Sequence, residues 1–343
     1  MAETENALKY KPKITTMARK QTITGAIVVK YLEKFPNTPS LTLARMIYEE
    51  NNLAFTSVEH VRSVVRIYRG SNGKYTRGFL SDKRFYGTGV LSEGEEPIYE
   101  PYQLPLVNNK ILFMSDIHLP FHDLPSIKMA LADGKERGCN TVILGGDIVD
   151  MYSISRFDKV PNKSTFVKER ELFWALIDDV NTYMPNAKVI WICGNHEDRF
   201  ERYMLSKCAE IYGVDDFSME RVFALRELGV EWVEDKRYIK ADGLNILHGH
   251  EFGNSITSPV NPARGMYLKA KDSAVFGHLH RTSEHTEADL RGNVKTVYSV
   301  GCLCYLHPAY RPLNTWNSGY ATIDINKYGY MVKNKKIING KIQ

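Results

Sequence analysis

Residues 110–118 read KILFMSDIH, and residues 140–150 read NTVILGGDIVD. In each stretch a short apolar run ends in polar residues, which is typical of a strand that is buried on both faces and leads into a functional loop. A helical pattern at 164–184, STFVKERELFWALIDDVNTYM, follows them. Strands that alternate with helices predict an α/β domain. Three further stretches have the same form as the first two: AKVIWICGN at 187–195, LNILHGH at 244–250 and SAVFGHLH at 273–280.

All five runs end in side chains that bind metal ions or transfer protons. Because sites in open α/β sheets form at the carboxyl ends of the strands, we expect these polar groups to meet in one place. Burying so many carboxylates and imidazoles without compensation would cost many kcal/mol, and one or two bound cations would provide the compensation. The residues are Asp116 and His118, Asp147 and Asp150, Asn195, His196 and Glu197, His248 and His250, and His278 and His280.

The five blocks resemble the calcineurin-like metallophosphoesterases, whose pattern is D-x-H, G-D-x-x-D, G-N-H-[DE], a histidine, and G-H-x-H. This chain has D-I-H from Asp116, G-D-I-V-D from Gly146, G-N-H-E from Gly194, H-G-H from His248 and G-H-L-H from Gly277. The similarity covers about residues 110 to 305. It implies an α/β fold of the metallophosphoesterase type, a β-sandwich flanked by helices in α/β/β/α layers, and an enzyme that hydrolyses phosphate esters.

The resemblance also implies a ligand set for two divalent metal ions, with Asp147 bridging them. By its position in the L-H-G-H segment, His248 rather than His250 is the expected ligand. Mixed nitrogen and oxygen ligands suit Mn, Fe, Zn, Ni or Co. Four histidine ligands disfavour Mg²⁺ alone. Among the suitable ions we expect Mn²⁺. The first ion is expected at Asp116, His118, Asp147 and His280, and the second at Asp147, Asn195, His248 and His278.

The family pattern then implies a mechanism. Two ions about 3.5–4 Å apart polarise a phosphoryl group and lower the pKa of a shared water, and the resulting hydroxide attacks phosphorus. His196 is expected to stand on the leaving-group side and to act as general acid or to stabilise charge there. Asp150 and Glu197 are expected to orient ligand groups without binding an ion. Some members of this fold keep much of the metal cluster but lack the histidine of the third block, and these serve as scaffolds. The presence of His196 therefore favours an enzyme over a catalytically silent, metal-bearing scaffold.

The N-terminal part of the chain has a different pattern. Residues 1–20 are polar and expected to be loose, and residues 21–72 predict a small all-α domain of short helices. Residues 73–109 are rich in Gly and Pro and predict a linker to a metallophosphoesterase domain at 110–343. Residues 9 to 84 hold 15 Lys and Arg against 5 Asp and Glu. This excess predicts either an anionic partner or a basic, solvated surface.

Three short helices, the last of them basic, favour a helix-turn-helix-like module. Ser57 or Thr56 is expected to cap the third helix, whose outer face carries Arg62, Arg66 and Arg69. These three arginines are candidate contacts to DNA or RNA. The alternative is a helical bundle whose basic helix faces water, docks a partner or dimerises.

The expected substrate follows from this module. Because Lys and Arg on a helix face can neutralise phosphates, a phosphodiesterase acting on nucleic acid is the leading hypothesis. The alternatives are a hydrolase of small nucleotides or phosphomonoesters, including phosphoproteins, and the silent scaffold. Arg199 after the third block, and Arg156 and Lys159 in a polar segment long enough for a lid, are candidate contacts to the substrate phosphate. Cys302 is expected to be a packed small residue.

Composition excludes several other classes of protein. Apolar residues make up 43% and charged residues 25%, which is ordinary for a globular protein. No apolar run reaches the ~18 residues of a membrane span, and the first residues lack the apolar stretch of a signal peptide. We therefore expect a cytoplasmic protein with no membrane partner. The five cysteines are odd in number and argue against a disulfide framework or a zinc ribbon.

Overall fold

The computed structural model describes residues 22–69, 99–158, 160, 163–234, 236–253 and 260–343. The predicted loose N-terminus, Lys159 and most of the predicted linker lie outside these ranges. The chain divides into two compact units, Met1–Glu96 and Pro97–Gln343. Within the described ranges, none of the helices is long and apolar enough to cross a membrane.

Three helices form the described part of the N-terminal unit: α1 (Ile23–Lys34), α2 (Ser40–Glu50) and α3 (Val58–Tyr68). The three predicted helices are confirmed, and Ser57 caps α3, since its Oγ accepts a hydrogen bond of 3.1 Å from His60 N. The apolar faces of the helices and one loop residue enclose a small core of Val28, Leu32, Leu43, Ala44, Ile47, Phe55, Val61 and Val65.

Arg69, at the end of α3, holds the turn before α2. Its guanidinium donates to Ser40 Oγ at 2.8 Å and to the carbonyl oxygens of Pro36, at 3.3 Å, and Thr38. A guanidinium offers five donors in a rigid fork, so it can satisfy several oxygens at once. Arg69 therefore has a structural role inside the unit, besides the role in nucleic-acid contact that its position on a basic helix predicts.

A seven-stranded sheet lies at the centre of the second unit. Its strands are β2 (Lys110–Met114), β3 (Thr141–Leu144), β4 (Lys188–Ile192), β5 (Val230–Val233), β11 (Ser318–Asn326), β12 (Gly329–Ile338) and β13 (Lys341–Ile342). Their order is β13-β12-β11-β2-β3-β4-β5. β2 to β5 run parallel, so their carboxyl ends share one edge of the sheet, while β11 pairs with β2 in antiparallel register.

A second, six-stranded sheet consists of β1 (Tyr102–Gln103), β6 (Ile239–Ala241), β7 (Leu244–Leu247), β8 (Ala274–Phe276), β9 (Ser283–Ala288) and β10 (Val294–Ser299). Their order is β1-β6-β7-β8-β10-β9. β1 falls in the segment predicted as a linker, and Tyr102 pairs with Ile239. The fold of the second unit therefore includes residues before 110.

The two sheets pack face to face, and β2 illustrates the packing. Ile111 and Phe113 face a core that both sheets share, whereas Leu112 and Met114 face the core beneath the helices. On this outer side lie α4 (Leu124–Glu136) and α5 (Phe166–Tyr183), and α8 (Pro262–Ala270) covers the six-stranded sheet. Two shorter helices, α6 (Asp198–Lys207) and α7 (Met219–Val222), lie between β4 and β5 in the chain. The predicted α/β/β/α layers are confirmed.

Phe173 of α5 is fully buried, and its ring stacks on that of Trp191 in β4 at a centroid distance of 4.4 Å. We expect Phe173→Ala to lower the free energy of unfolding by about 3–5 kcal/mol, because truncation leaves a cavity under the strand that leads to Asn195. Urea unfolding followed by tryptophan fluorescence measures this loss. Phe157→Ala is the control, since Phe157 is 62% exposed and its loss is expected to stay within about 0.5 kcal/mol. Equal losses would contradict the packing.

Candidate active site

Asp147 occupies the centre of a cluster formed by the loops after β2, β3, β4, β7 and β8. Its Oδ2 lies 3.8 Å from His118 Nε2 and 3.8 Å from His196 Nε2. Its Oδ1 lies 3.4 Å from His248 Nε2. The carboxylate is almost fully buried. One oxygen thus faces each half of the cluster, which is the placement that a bridging carboxylate needs.

The first half of the cluster contains Asp116, His118, Asp147 and His280. The ligand atoms of Asp116, His118 and Asp147 all lie within 4.8 Å of one another. His280 Nε2 lies 3.2 Å from His118 Nε2 and 3.1 Å from Asp116 Oδ1. Two imidazole nitrogens and a carboxylate oxygen that converge on one point form a set of donors suited to a cation.

The second half of the cluster contains Asp147, Asn195, His248 and His278. Asp147, His248 and His278 place ligand atoms within 4.8 Å of one another, and Asn195 Oδ1 lies 3.2 Å from His248 Nε2. His250 instead directs its Nε2 to Asp198 Oδ2 at 3.3 Å. The contacts support the choice of His248 as the ligand, which stays a prediction.

Five of the predicted ligands have left-handed backbone conformations. Residues with a Cβ rarely adopt this region, at a cost of order 1–3 kcal/mol each, and such residues cluster at functional sites. Here the conformation turns the chain sharply where a strand ends and directs the side chain towards the cluster. The residues are Asp116, His118, Asp147, His278 and His280, with φ between 51° and 65°.

Two glycines of the sequence blocks allow the loops to approach closely. A Cβ on Gly277 would lie 2.0 Å from Ser115 Oγ and 2.5 Å from Asp116 Oδ2. A Cβ on Gly194 would lie 2.4 Å from both the backbone nitrogen and Oδ1 of Asp147. Real Cβ atoms do not approach so closely, so these positions require glycine.

Glu197 connects the second and third blocks through the backbone. Its carboxylate is buried, and burial together with the charge of Asp147 raises its pKa to about 7. The carboxylate accepts hydrogen bonds from the backbone nitrogens of Asp147 at 2.9 Å, Ile148 at 2.8 Å, Val149 at 3.2 Å and Gly194 at 2.8 Å. Glu197 therefore orients the loop that carries Asp147, rather than an individual ligand side chain.

His196 is half-buried and lies between Asp150 and Arg199. Its Nδ1 is 2.9 Å from the carbonyl oxygen and 3.2 Å from Oδ1 of Asp150, which also lies 3.6 Å from His118 Nδ1. Arg199 Nη2 lies 2.9 Å from His196 Nε2, and Arg199 Nη1 donates to the Asp150 carbonyl at 2.8 Å. Because a guanidinium only donates, Nε2 of His196 accepts and Nδ1 carries the proton. Asp150 thus orients two of the histidines.

The other predicted contacts lie elsewhere. Arg156 is exposed and lies 5.3 Å from the centre of the Phe157 ring, so of the two described candidates for binding the substrate phosphate, Arg199 belongs to the cluster. In the N-terminal unit, Arg62 donates to Glu59 Oε1 at 3.0 Å, and Arg66 is exposed.

The carboxylates draw positive charge into the site. Burial opposes the ionisation of Asp116, but His280 outweighs it and lowers the pKa of Asp116 to about 2. Burial likewise opposes the protonation of His280 and His248, yet Asp116 and Asp147 raise their pKa values to about 10. Burial, followed by repulsion from His248, lowers the pKa of His278 to about 3. A divalent cation supplies the same positive charge once the imidazoles are neutral, so the donor set fits metal ions.

Sequence reasoning missed three contacts of the site. The ring of Trp316 lies 4.1 Å from that of His280, and Cys304 Sγ lies 4.0 Å from His280 Nδ1. Glu169 of α5 accepts hydrogen bonds from Met151 N at 2.6 Å and Tyr152 N at 3.1 Å, and so holds the loop after Asp150. No motif marks these residues. For Trp316 the available signal was the group of aromatic residues in 305–316. Cys302 is fully buried, as predicted.

Fold and site together define a metal-dependent phosphoesterase, and comparison with known proteins identifies its family. The model of the calcineurin-like phosphoesterases matches residues 109–282. The chain belongs to this family and is a phosphoric ester hydrolase that uses divalent metal ions.

Individual proteins that resemble this chain share little sequence identity with it. The chain is 25% identical over 236 residues to the Gene 54 protein of Mycobacterium phage L5, which covers 64% of this chain and 90% of that protein. Yfce, a phosphoesterase from E. coli, is 16% identical with a TM-score of 0.35, over 68% of this chain and 96% of that chain. A dimetal phosphatase from Danio rerio is 10% identical with a TM-score of 0.32, over 66% of this chain and 95% of that chain.

Replacing Glu197 tests whether backbone orientation controls metal binding. In Glu197→Gln one acceptor oxygen remains, and an NH₂ group replaces the other. Its N–H donors would then face backbone N–H groups that need an acceptor. We expect the affinity for Mn²⁺, measured by titration calorimetry, to fall about 10–100-fold. Glu201→Gln, on the helix that begins directly after Glu197 and bound only to Tyr212 among the described contacts, is the control. Unchanged affinity in a folded Glu197→Gln protein, checked by circular dichroism, would refute the role.

Proposed function

We propose that this protein is a two-metal phosphodiesterase that hydrolyses nucleic acid, with Mn²⁺ as the metal. The observation that carries the two-metal part is the cluster around Asp147, because its two halves share this one buried carboxylate. The basic segment of residues 9 to 84 supports nucleic acid as the substrate, since Lys and Arg bind its phosphates.

The residues for two ions are those of the two halves of the cluster. When bound, the ions supply Lewis acidity towards phosphoryl oxygens and a water of lowered pKa. The protein's own part is to hold the donors in place. Glu197 fixes the loop of Asp147, and Asp150 fixes the rings of His118 and His196.

His196 is placed to transfer a proton to the leaving oxygen. Burial opposes its protonation, but Asp147 and the hydrogen-bonded Asp150 outweigh burial and raise its pKa, which favours the imidazolium that a general acid needs. Protonation of Nε2 removes the lone pair that accepts from Arg199. The guanidinium is then free to bind a phosphate oxygen of the substrate while it keeps its bond to the Asp150 carbonyl.

A hydrolase of small nucleotides or phosphomonoesters is the second candidate function. Two of the three arginines proposed to contact nucleic acid already have partners in their own unit, Arg62 with Glu59 and Arg69 with the turn before α2. This observation favours a small substrate, because of the three arginines it leaves Arg66 as the exposed one.

Model esters test the reaction. With Mn²⁺ restored to the metal-stripped protein, we expect hydrolysis of bis-p-nitrophenyl phosphate in preference to p-nitrophenyl phosphate. His196→Ala is expected to lower kcat by about 10²–10⁴-fold without loss of bound metal, because it removes the general acid. Asp147→Ala is expected to lose both metal and activity. His285→Ala, whose imidazole pairs with Glu287, is the control.

Three outcomes would count against the proposal. Turnover of the monoester alone would overturn the diesterase and support the second candidate. Two bound ions without turnover of either ester would overturn the enzyme mechanism. Full activity of His196→Ala would overturn the assignment of the general acid.

Binding of duplex DNA by the full-length chain tests the N-terminal unit. If α3 contacts phosphates, Arg66→Gln is expected to weaken binding and to reduce the slope of log K against log salt concentration by about 1. Arg45→Gln, which removes an exposed arginine from α2 instead, is the control, and fluorescence anisotropy at several salt concentrations is the measurement. Equal effects of both substitutions would show a general charge effect and not a contact through α3.

A further inference from the structure

Aromatic rings with a nearby cation lie beside His280 of the cluster. Trp316 lies 4.1 Å from His280, and Tyr310 lies 6.5 Å from Trp316. Arg311 lies 5.9 Å from the centre of the Trp316 ring. Tyr310 is 75% exposed, so its ring faces solvent. A substrate bound at the first half of the cluster would therefore lie beside these rings.

A second pair of rings belongs to the neighbouring loops. Phe121 and Tyr152 contact each other edge to face at 6.0 Å, and Lys163 lies 5.0 Å and 5.4 Å from the two ring centres. Phe121 follows His118 and Tyr152 follows Asp150 within a few residues of the chain, so both rings lie on loops that carry residues of the cluster. The Phe121 carbonyl accepts a hydrogen bond of 2.9 Å from Tyr305 N, which joins this pair to the loop that carries Tyr310.

We propose that Phe121, Tyr152, Tyr310 and Trp316, named here the aromatic rim, bind the nucleobases next to the phosphate that is cleaved. The inference rests on the proposed phosphodiesterase function and adds to it a substrate class, single-stranded nucleic acid. A single strand carries planar bases and anionic phosphates, and the rings of the aromatic rim have the cations Lys163 and Arg311 beside them. Such stacking accepts any base, because every base has a π-face.

The other substrates considered use the aromatic rim less well. A phosphomonoester without a base needs only the metal ligands, His196 and Arg199. A paired duplex keeps its bases stacked on one another, so it cannot present them to Trp316 and Tyr310. The exposed ring of Tyr310 and the half-buried ring of Trp316 therefore favour an unpaired strand over both.

The test compares two diesters with the same leaving group. Thymidine 5′-(p-nitrophenyl phosphate) carries a base, and methyl p-nitrophenyl phosphate does not. In the Mn²⁺-loaded enzyme we expect the ratio of their kcat/KM values to favour the thymidine ester. Trp316→Leu and Tyr310→Leu are each expected to lower this ratio by about 10–100-fold, mainly through KM. Trp316→Phe, which keeps an aromatic face, is expected to restore most of it.

A control variant and two outcomes decide the result. Tyr328→Leu, an 87% exposed tyrosine at the turn between β11 and β12, is expected to leave the ratio unchanged. Equal losses on both esters would mean that Trp316 only packs His280, and would overturn the proposal. A wild-type enzyme with no preference for the thymidine ester would overturn it as well.

Binding separates this inference from the proposed function. A fluorescent dT12 oligonucleotide is titrated with the Mn²⁺-loaded His196→Ala protein, which is expected to bind without rapid cleavage. Substitution of Leu for Trp316 in this background is expected to weaken binding about 10–100-fold. If neither diester is cleaved by the wild type but dT12 binding depends on Trp316, the proposed function fails and the aromatic rim stands. If binding does not depend on Trp316 or Tyr310, the aromatic rim is refuted whatever the turnover.

Discussion

The buried carboxylate of Glu197 holds the backbone of the second block, and the geometry of the active site depends on this contact. Four backbone N–H groups point at its two oxygens, and three of them belong to the turn that begins at Asp147. Asp147 in turn accepts a hydrogen bond of 2.8 Å from His196 N, so the second and third blocks hold each other. Buried donors of this kind are costly to leave without an acceptor. Displacing Glu197 would therefore loosen Asp147 and His196 together.

The sandwich explains how such a polar cluster can form on a stable base. The strands that lead to the cluster are apolar on both faces, as Ile190 and Trp191 show in facing different cores. The strands end at a common edge, and left-handed residues turn the chain there. The strain and the desolvated charges are thus concentrated in short loops, while the burial of apolar strands supplies the stability. Metal ions complete the arrangement, because the acidic groups otherwise draw protons onto His248 and His280.

The strands and the polar cluster could be predicted because local sequence patterns mark them. Each strand next to the site is an apolar run followed at once by its ligands, so the layers and the polar cluster could be predicted together. The missed strands lack this signal. β9 (SEHTEA) is a polar strand at the edge of its sheet, β6 has three residues, and β5 ends without a ligand. Contacts between distant segments were also missed: 36 positions separate Trp316 from His280, and α5 supplies Glu169 to the loop after Asp150.

For the same reason, the sequence predicts the reaction chemistry better than it predicts the substrate. Residues that bind metal or move protons must keep fixed geometry relative to one another, so they lie in short blocks with demanding glycines such as Gly194 and Gly277. Residues that select a substrate need only reach the same opening, and loops from remote parts of the chain can provide them. Arg199, a candidate phosphate contact, resembles the first kind in being close to its block, since it follows the third block and its guanidinium is fixed by Asp150 and His196. In the proposed aromatic rim, Trp316 belongs to the second, because its ring reaches His280 from a loop 36 positions further along the chain. A sequence motif can therefore identify the reaction long before it identifies what is cleaved.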